Sequence, residues 1–539
     1  MHITFLGHAG FAVETAGTLV VMDPWLSPKG AFDSAWMQLP RNHHLASLVR
    51  EKLETPGVER FLYISHEHKD HFDPEFLATL RRRDFTVIVP RFRRSELQDI
   101  FARYGCKRVI ACEDGRELPI KNGYIKLFLS EQGTNRDSAL LVRGDGHCFL
   151  NLNDCKLHDR LARVSAEDGP IDVFSAQFSG AIWHPTCYEY PPEKYSEVAR
   201  SKRDSKFEAV ARALEAIRPA AYIAAAGPAC FLDPALYALN FEEVNIFPRA
   251  PDLFSFLEQR LPEVPVRYLE PMPGDVLEVG SLAYSSLATE RVTSENLHEY
   301  LRTYAESQAQ VFRERRRNLL LAEVDEIHER LRVELQRKLD LLDLHDRVKM
   351  PMYVEVAEVP ERLLRVDFQG RRVDVVSEIL DGERYTMKVN AWDISRVLDR
   401  KLNWEDFLLS FRMRLSRIPD VYEPIVHGFL GVEIEDMRAF CEGLRATEAQ
   451  RERTVVTAGR QRYSIQRYCP HQGADLAEGW VEEDRFLVCP RHRWQFDLEA
   501  QGHCPMNGST VCALPLQDEE GEEDTDSVRA PPPDAQPRY

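Results

Sequence analysis

The stretch Ser65-His66-Glu67-His68-Lys69-Asp70-His71 directly follows the apolar residues 61–64 and is the most informative part of the first half of the chain. Four metal-ligand side chains lie within it: His66, His68, Asp70 and His71. His66 and His68 alternate, so both imidazoles can face one metal, while Asp70 and His71 on the following turn can reach a neighbouring position. The sequence therefore predicts a site for one or two metal ions at the end of a strand.

The pattern His-x-His-x-Asp-His after an apolar strand resembles the signature of the metallo-β-lactamase fold, and the resemblance extends over residues 1–287. It implies an α/β domain, an αββα sandwich, in which an aspartate at the end of a later strand joins the metal ligands. Asp154, after the apolar residues 148–152, is the counterpart that the resemblance implies. The family usually supplies two more histidines, but residues 128–136 and 224–230 contain none. His8 and His184 are candidate substitutes, for which we expect a hydrogen-bonding role instead.

A second group of ligand residues lies near the other end of the chain. The run Cys469-Pro470-His471 is followed, after 17 intervening residues, by Cys489-Pro490-Arg491-His492. These residues suit either a Cys2His2 zinc site or a two-iron cluster in which two thiolates bind one iron and two imidazoles bind the other. Residues 452–517 resemble Rieske domains, including Gly473 and Trp494, and the resemblance implies a [2Fe-2S] cluster held by Cys469, His471, Cys489 and His492.

The 539 residues exceed the ~250–300 at which single hydrophobic cores stop growing, so several domains are expected. After the α/β domain at 1–287, apolar residues recur every four positions amid charge and predict a helical linker over 288–345: Ile327, Leu331, Leu335 and Leu339. Residues 346–447 predict a small α+β domain, and residues 448–517 an all-β Rieske domain. Residues 518–539 are rich in Glu, Asp and Pro and predict a disordered tail.

Charge and composition narrow the range of partners. The net charge of -18 argues against general affinity for nucleic acid or anionic membranes. No segment approaches the ~18 apolar residues of a membrane span, and the first residues lack the pattern of a secretory signal. The 11 cysteines show no regular framework, which fits reduced thiols and metal ligands. We therefore expect a cytoplasmic protein with no nucleic-acid or membrane partner.

Several separated segments resemble the CMP-N-acetylneuraminic acid hydroxylase family of Rieske monooxygenases, which also contain a metallo-β-lactamase-like domain. The segments are Gly7-His8-Ala9, Asp23-Pro24-Trp25-Leu26, residues 64–71, Phe178-Ser179-Gly180-Ala181, residues 219–234 and residues 404–422. That family carries its Rieske domain at the N-terminus, so the arrangement here is permuted. The resemblance implies that an external reductase or ferredoxin supplies electrons through the cluster to non-heme iron at the histidine-rich loop, where O2 is used to hydroxylate a substrate.

The sequence thus predicts a Rieske-coupled, iron-dependent monooxygenase acting on a small polar metabolite, such as a sugar nucleotide or an amino-acid-like compound. Plain hydrolysis needs a Lewis acid but no electron carrier, which is why redox chemistry is favoured. One alternative is a zinc or manganese hydrolase with a redox-sensing cluster, since Gly7-His8-Ala9 and Asp23-Pro24-Trp25 resemble ascorbate-6-phosphate lactonase. The other is a non-enzymatic electron-transfer or scaffold protein. Catalytic residues beyond the metal ligands and the oligomeric state stay open.

Overall fold

The computed structural model describes residues 1–93, 95–132, 135–288, 290–315, 319–448, 452–470, 473–491, 493–506 and 508–516. The tail predicted at 518–539 lies outside these residues. Within them, every helix is too short or too polar to span a bilayer. The described chain forms three successive regions, while the domain boundaries placed at residues 287, 345 and 447 stay predictions.

Two large sheets build the first region. Their strands, in chain order, are β1 (His2–Gly7), β2 (Gly10–Thr15), β3 (Thr18–Met22), β4 (Glu59–Tyr63), β5 (Thr86–Pro90), β6 (Arg108–Cys112), β7 (Glu117–Ile120), β8 (Gly123–Gln132), β9 (Asn135–Gly144), β10 (His147–Asn151), β11 (Val173–Gln177), β12 (Ala221–Ala225), β13 (Arg267–Leu269), β14 (Asp275–Glu278) and β15 (Ala283–Ser286). The first sheet has the order β15-β14-β1-β2-β3-β4-β5-β6, and the second has the order β13-β12-β11-β10-β9-β8-β7.

The two sheets pack face to face and are covered by helices on both outer sides. The rings of Phe11 and Phe149 meet in the inner layer with centroids 5.1 Å apart. Strands β3, β5, β11 and β12 are buried at every position, as expected where both faces of a sheet are covered. The outer helices are α1 (Ala46–Glu54), α2 (Pro74–Ala78), α3 (Leu97–Arg103), α4 (Leu161–Asp168), α5 (Pro192–Ile217) and α6 (Ala250–Arg260). The predicted αββα sandwich is confirmed.

The second region is helical at first and then mixed. It contains α7 (Leu297–Arg315), α8 (Leu321–Leu341), β16 (Met352–Val356), β17 (Leu363–Asp367), β18 (Arg372–Val376), β19 (Arg384–Val389), α9 (Ala391–Leu398), α10 (Trp404–Leu409), β20 (Met413–Ile418), α11 (Pro424–Gly431) and α12 (Met437–Glu448). Its sheet has the order β18-β17-β16-β19-β20. The four apolar residues spaced along α8 are buried in one core with this sheet. The α+β class predicted for the middle of the chain is confirmed.

This middle region packs directly on the sandwich. The Trp36 indole donates to the Leu409 carbonyl at 2.9 Å, and its ring lies 5.6 Å from that of Phe411. Asp33 forms an ion pair at 2.8 Å with Arg396 of α9. These largely buried contacts hold α9 and the C-terminal end of α10 against residues 33–36 of the sandwich.

The third region consists of two small sheets, of order β21-β22-β26 and β23-β24-β25. Its strands are β21 (Arg453–Ala458), β22 (Gln461–Gln466), β23 (Trp480–Glu482), β24 (Phe486–Val488), β25 (Gln495–Asp497) and β26 (Leu514–Leu516). Cys469 and Cys489 are fully buried in a single core between the sheets. The predicted all-β class of this region is confirmed.

Candidate functional site

The histidine-rich loop connects β4 to α2 and is folded into a compact turn. The amides of His71 and Phe72 both donate to the His68 carbonyl, at 3.0 and 2.7 Å. Asp73 then caps α2 by accepting from the amides of Glu75 and Phe76. The tight turn and the helix cap explain why side chains close in sequence also converge in space.

Two groups of possible metal ligands share His71. In one, His66, His71 and Asp154 bring their ligand atoms within 4.8 Å of one another, and in the other His8, Asp70 and His71 do so. The Nε2 atom of His71 lies 3.7 Å from Asp154 and 3.8 Å from Asp70. Four of the five predicted ligands therefore meet at one place, between the end of β4 and the loop after β10.

The fifth predicted ligand, His68, lies next to this group, between His66 and Glu405. Its Nδ1 atom lies 2.9 Å from Nε2 of His66, and its own Nε2 atom lies 3.3 Å from the carboxylate of Glu405. Burial is the largest single effect on His68 and opposes its protonation, but Glu405, Asp70 and Asp137 together outweigh it and raise the pKa of His68 to about 9. The centre of the site is thus rich in carboxylates that attract a cation.

Several buried atoms at this place lack hydrogen-bond partners among the described residues. They belong to three carboxylates and one imidazole: Asp70 Oδ1, Asp137 Oδ1, Asp154 Oδ1 and His71 Nε2. Unsatisfied polar atoms are costly when buried, and four together point to something that binds all of them. Imidazole and carboxylate donors suit iron, zinc and manganese. The residues present therefore fit a metal centre.

Asp23 orients His71 from behind. Its carboxylate accepts from Nδ1 of His71 at 2.9 Å and from the amide and hydroxyl of Ser65 at 2.8 and 2.6 Å. A carboxylate on one ring nitrogen fixes the tautomer and leaves the other nitrogen free for a metal. Burial opposes protonation of His71, but Asp70 and Asp154 raise its pKa to about 10.

Asp137 was missed in the sequence. It lies on β9, next to Ser138, whose hydroxyl donates to the Ser65 carbonyl at 2.8 Å and so ties this strand to the histidine-rich loop. An Asp137 oxygen comes within 2.9 Å of Nδ1 of His66, although without hydrogen-bond alignment. The further histidine that the family usually supplies is absent from residues 128–136, and Asp137 is the residue that directly follows them. Asp137 could have been found because strand β9, which contains it, begins within residues 128–136.

Glu405 was also missed. It lies on α10, in the middle region, and belongs to the segment 404–422 that carried a family resemblance without an assigned role. Of the two histidine substitutes, His8 lies 3.1 Å from Asp70 at the site, as a hydrogen-bonding residue would. His184 lies away from the site and contacts the Tyr190 hydroxyl at 3.0 Å.

The two cysteine loops of the third region repeat one backbone geometry. The amides of Cys469 and Cys489 donate to the carbonyls of Ala474 and Trp494, each at 2.9 Å. Four positions after each cysteine, Gly473 and Arg493 adopt positive φ and donate back to the cysteine carbonyl. Two matching loops present two buried thiols in the same way. The predicted ligands His471 and His492 lie outside the described residues.

The second cysteine loop contacts the sandwich close to the metal ligands. Arg491 forms an ion pair at 3.1 Å with Asp159, and both side chains are only 6% exposed. Arg212 of α5 stacks on Trp480, with its guanidinium carbon 3.4 Å from the ring centroid. Asp159 follows Asp154 by five residues, so one loop connects the candidate metal centre to the third region.

Comparison with protein families agrees with this architecture. Residues 2–190 match the beta-lactamase superfamily domain, and residues 435–514 match the Rieske [2Fe-2S] domain. The chain therefore combines an N-terminal metallo-β-lactamase-like domain with a C-terminal Rieske domain, which implies a [2Fe-2S] cluster. A Rieske 2Fe-2S iron-sulfur protein of Mycobacterium tuberculosis (strain H37Rv) is 29% identical over 526 residues, which cover 94% of this chain and 98% of that protein.

Two hydroxylases are similar over a smaller part. The 4-amino-L-phenylalanyl-[CmlP-peptidyl-carrier-protein] 3-hydroxylase of Streptomyces venezuelae is 25% identical over 234 residues, 40% of this chain and 42% of that enzyme. Cytidine monophosphate-N-acetylneuraminic acid hydroxylase of Pan troglodytes is 24% identical over 241 residues, 42% of this chain and 38% of that enzyme. The predicted resemblance to the second family is confirmed, and the matched part is less than half of each hydroxylase.

Proposed function

We propose that this chain is an iron-dependent monooxygenase in which the Rieske cluster passes electrons to a metal centre in the same chain. The observation that carries the proposal is the buried ion pair between Arg491 and Asp159. Arg491 directly precedes the predicted cluster ligand His492, and Asp159 lies at most about 18 Å of extended chain from Asp154. A hydrolase has no use for such a connection, since hydrolysis transfers no electrons.

The residues that would hold the second metal come from two loops, one strand and one helix. Histidines and carboxylates converge there, and one or two iron ions would be bound by His66, His68, Asp70, His71 and Asp154, with Asp137 and Glu405 as further carboxylates. Iron in such a site supplies one-electron chemistry and the use of dioxygen. The chain's own part is to orient the ligands, through Asp23 behind His71 and through Glu405 beside His68.

The proposal requires partners outside the chain. An external reductase or a ferredoxin would supply electrons to the cluster, and the substrate would be a small polar metabolite, such as a sugar nucleotide or an amino-acid-like compound. The similarity to two hydroxylases supports oxidative chemistry, and the substrates in their names are starting points for a substrate screen.

A single-turnover experiment tests the proposal. Full-length protein is reduced anaerobically, freed of excess reductant and mixed with 18O2 and one candidate substrate at a time. We expect the visible spectrum to report oxidation of the cluster while mass spectrometry detects a product that carries one 18O atom. Oxidation of the cluster with no oxygenated product from any candidate would contradict the assignment, and protein lacking His66 and His68 serves as the control.

A zinc or manganese hydrolase with a redox-sensing cluster is the second candidate, because the match to the beta-lactamase superfamily and the donor set suit zinc as well. Metal analysis combined with electron paramagnetic resonance, before and after reduction, distinguishes the two. Two irons and zinc per chain, with a hydrolytic activity indifferent to dioxygen, would favour the hydrolase. Iron beyond the two atoms of the cluster would favour the oxygenase.

A further inference from the structure

Three lysines of the sandwich lie close enough together to interact electrostatically, and the region around them is called the lysine cluster: Lys156, Lys202 and Lys206. Lys202 and Lys206 are four residues apart on α5 and so share one face of that helix. Lys156 lies on the loop after β10, two residues beyond Asp154. Lys206 interacts electrostatically with both other lysines, and Lys202 interacts with Lys156, so the three ammonium groups repel one another.

The two lysines of α5 form no direct ion pair in the described structure, and Asp154 and Asp137 act on Lys206 only from a longer distance. Among the residues that the structure describes, neither Lys202 nor Lys206 has a carboxylate within ion-pair distance. Lys206 donates to the side-chain oxygen of Gln177. Burial, together with repulsion from neighbouring cations, lowers the pKa of both lysines to about 7. Such an arrangement is unfavourable unless an anion enters it.

The surroundings add further hydrogen-bond donors. Two buried nitrogens lack partners in the described structure: Nδ1 of His158, which Lys156 and Lys206 affect electrostatically, and the indole nitrogen of Trp183, which stacks on His427 beside Lys202. Arg417 extends the positive charge on the side of Lys202, where it approaches His184 to 3.5 Å. Donors without acceptors therefore lie beside the lysine cluster, and an acceptor-rich ligand would satisfy them.

The lysines also adjoin the candidate metal centre. Asp154 and Asp137 act electrostatically on both Lys156 and Lys206. Arg491 of the Rieske domain acts on Lys156 from the other side. A ligand held by the lysines would thus lie beside the metal ligands and be covered by the Rieske domain.

Building on the proposed oxygenase, we propose that Lys156, Lys202 and Lys206 form a subsite for a phosphate group of the substrate, which holds the rest of the substrate against the metal centre. A phosphate monoester carries up to two negative charges and several acceptor oxygens, which matches repelling ammonium groups and unpartnered donors. The substrate class is therefore a phosphate-bearing small molecule.

Binding of inorganic phosphate to the full-length protein, measured by isothermal titration calorimetry without reductant, tests the subsite. The variants are Lys202→Met and Lys206→Met, with Lys194→Met as the matched control, since the side chain of Lys194 on the same helix is 44% exposed and pairs with Glu197. We expect each subsite variant to weaken phosphate binding about tenfold or more and the control to leave it unchanged, because charge-assisted contacts are lost. Unchanged affinity in both subsite variants would overturn the proposal.

Two further titrations establish where the anion binds and which anion the subsite prefers. Phosphate could bind the metal instead, so the double variant His66→Ala, His68→Ala is titrated as well; loss of binding there, with binding kept in the lysine variants, would overturn the proposal. Malonate replaces phosphate in a parallel titration, and tighter binding of malonate would overturn the assignment to phosphate. Neither titration depends on oxygenase activity, so failure of the subsite and failure of the proposed function are distinguishable.

Thermal melting distinguishes a binding role of Lys202 and Lys206 from a purely structural role. Removing a desolvated ammonium group that has no ion pair in the described structure should not destabilise the protein, because the cost of desolvating its charge disappears. We therefore expect Lys202→Met and Lys206→Met to melt no lower than the parent protein, with an unchanged cluster spectrum. Melting several degrees lower, together with weaker binding, would assign the lysines to folding and overturn the proposal.

Discussion

The Glu405 carboxylate of α10 lies 3.3 Å from Nε2 of His68, so the middle region of the chain reaches into the candidate metal centre of the sandwich. The contact is possible because the indole of Trp36 and the ion pair of Asp33 hold the two regions together. The candidate metal centre is therefore bordered by a carboxylate from outside residues 2–190, the part of the chain that matches the beta-lactamase superfamily domain.

Replacing Glu405 by Gln should weaken binding of the second metal by about 10–100-fold, the usual cost of losing a ligand's carboxylate partner. The iron of the cluster should be unaffected. Metal content measured by mass spectrometry after dialysis against a graded chelator checks this, and Glu435→Gln, at an exposed position nearby, is the control. Equal metal retention in the Glu405→Gln and Glu435→Gln variants would show that Glu405 does not support metal binding.

Breaking the ion pair between Arg491 and Asp159 should slow electron transfer from the cluster. In Asp159→Asn we expect single-turnover oxidation of the cluster by dioxygen to slow at least tenfold, with both metal contents preserved. The stopped-flow absorbance of the cluster gives the rate. Breaking a buried pair costs about 3–5 kcal/mol, so limited proteolysis should also release the Rieske domain more readily. Asp497→Asn, which breaks a more exposed pair with Arg485, should change neither.

Stability should rise with pH in phosphate-free buffer. The folded-state pKa of Lys202, about 7, lies below its ordinary value of 10.5, so the unfolded chain binds the proton more readily between these values. The melting temperature should therefore increase from pH 7 towards pH 10 through this group, which faces Lys156, Arg417, His184 and His427. Lys202→Met should flatten the slope measured by calorimetry, whereas Lys194→Met should keep it.

Packing along α8 gives a stability test that is independent of either metal site. Leu335 is fully buried, and Leu335→Ala should lower the free energy of unfolding by about 2–5 kcal/mol through the cavity that it leaves. Val333 on the same helix is 41% exposed, and Val333→Ala should change it by less than about 0.5 kcal/mol. Chemical denaturation of both variants, monitored by circular dichroism, compares their free energies of unfolding. Similar losses in the two variants would contradict the burial of the α8 face that carries Leu335.

The sequence revealed most where the decisive contacts are local. His66, His68, Asp70 and His71 share one short turn, so their spacing alone predicted that they converge. Asp154 required a family resemblance, because a whole run of strands separates it from that turn. The apolar repeat of α8 predicted a helix with one buried face, but not the sheet that covers it.

Contacts between distant segments could not be predicted. Asp137 approaches His66 only through the pairing of β9 with its neighbours, and Glu405 approaches His68 only through packing of the middle region on the sandwich. The docking of Arg491 on Asp159 likewise depends on how three regions fit together. Periodicity and motif spacing carry no information about such surfaces, since they describe one segment at a time.

Both members of the Arg491–Asp159 contact belong to one polypeptide, so the distance between donor and acceptor centres is set by folding and not by encounter. The single-turnover rate of protein reduced beforehand should then stay constant on dilution to nanomolar protein, because no external reductase takes part in that measurement. For the same reason, mixing a variant that lacks the cluster with a variant that lacks the second metal should not restore product formation. Each molecule in the mixture would contain only one of the two centres.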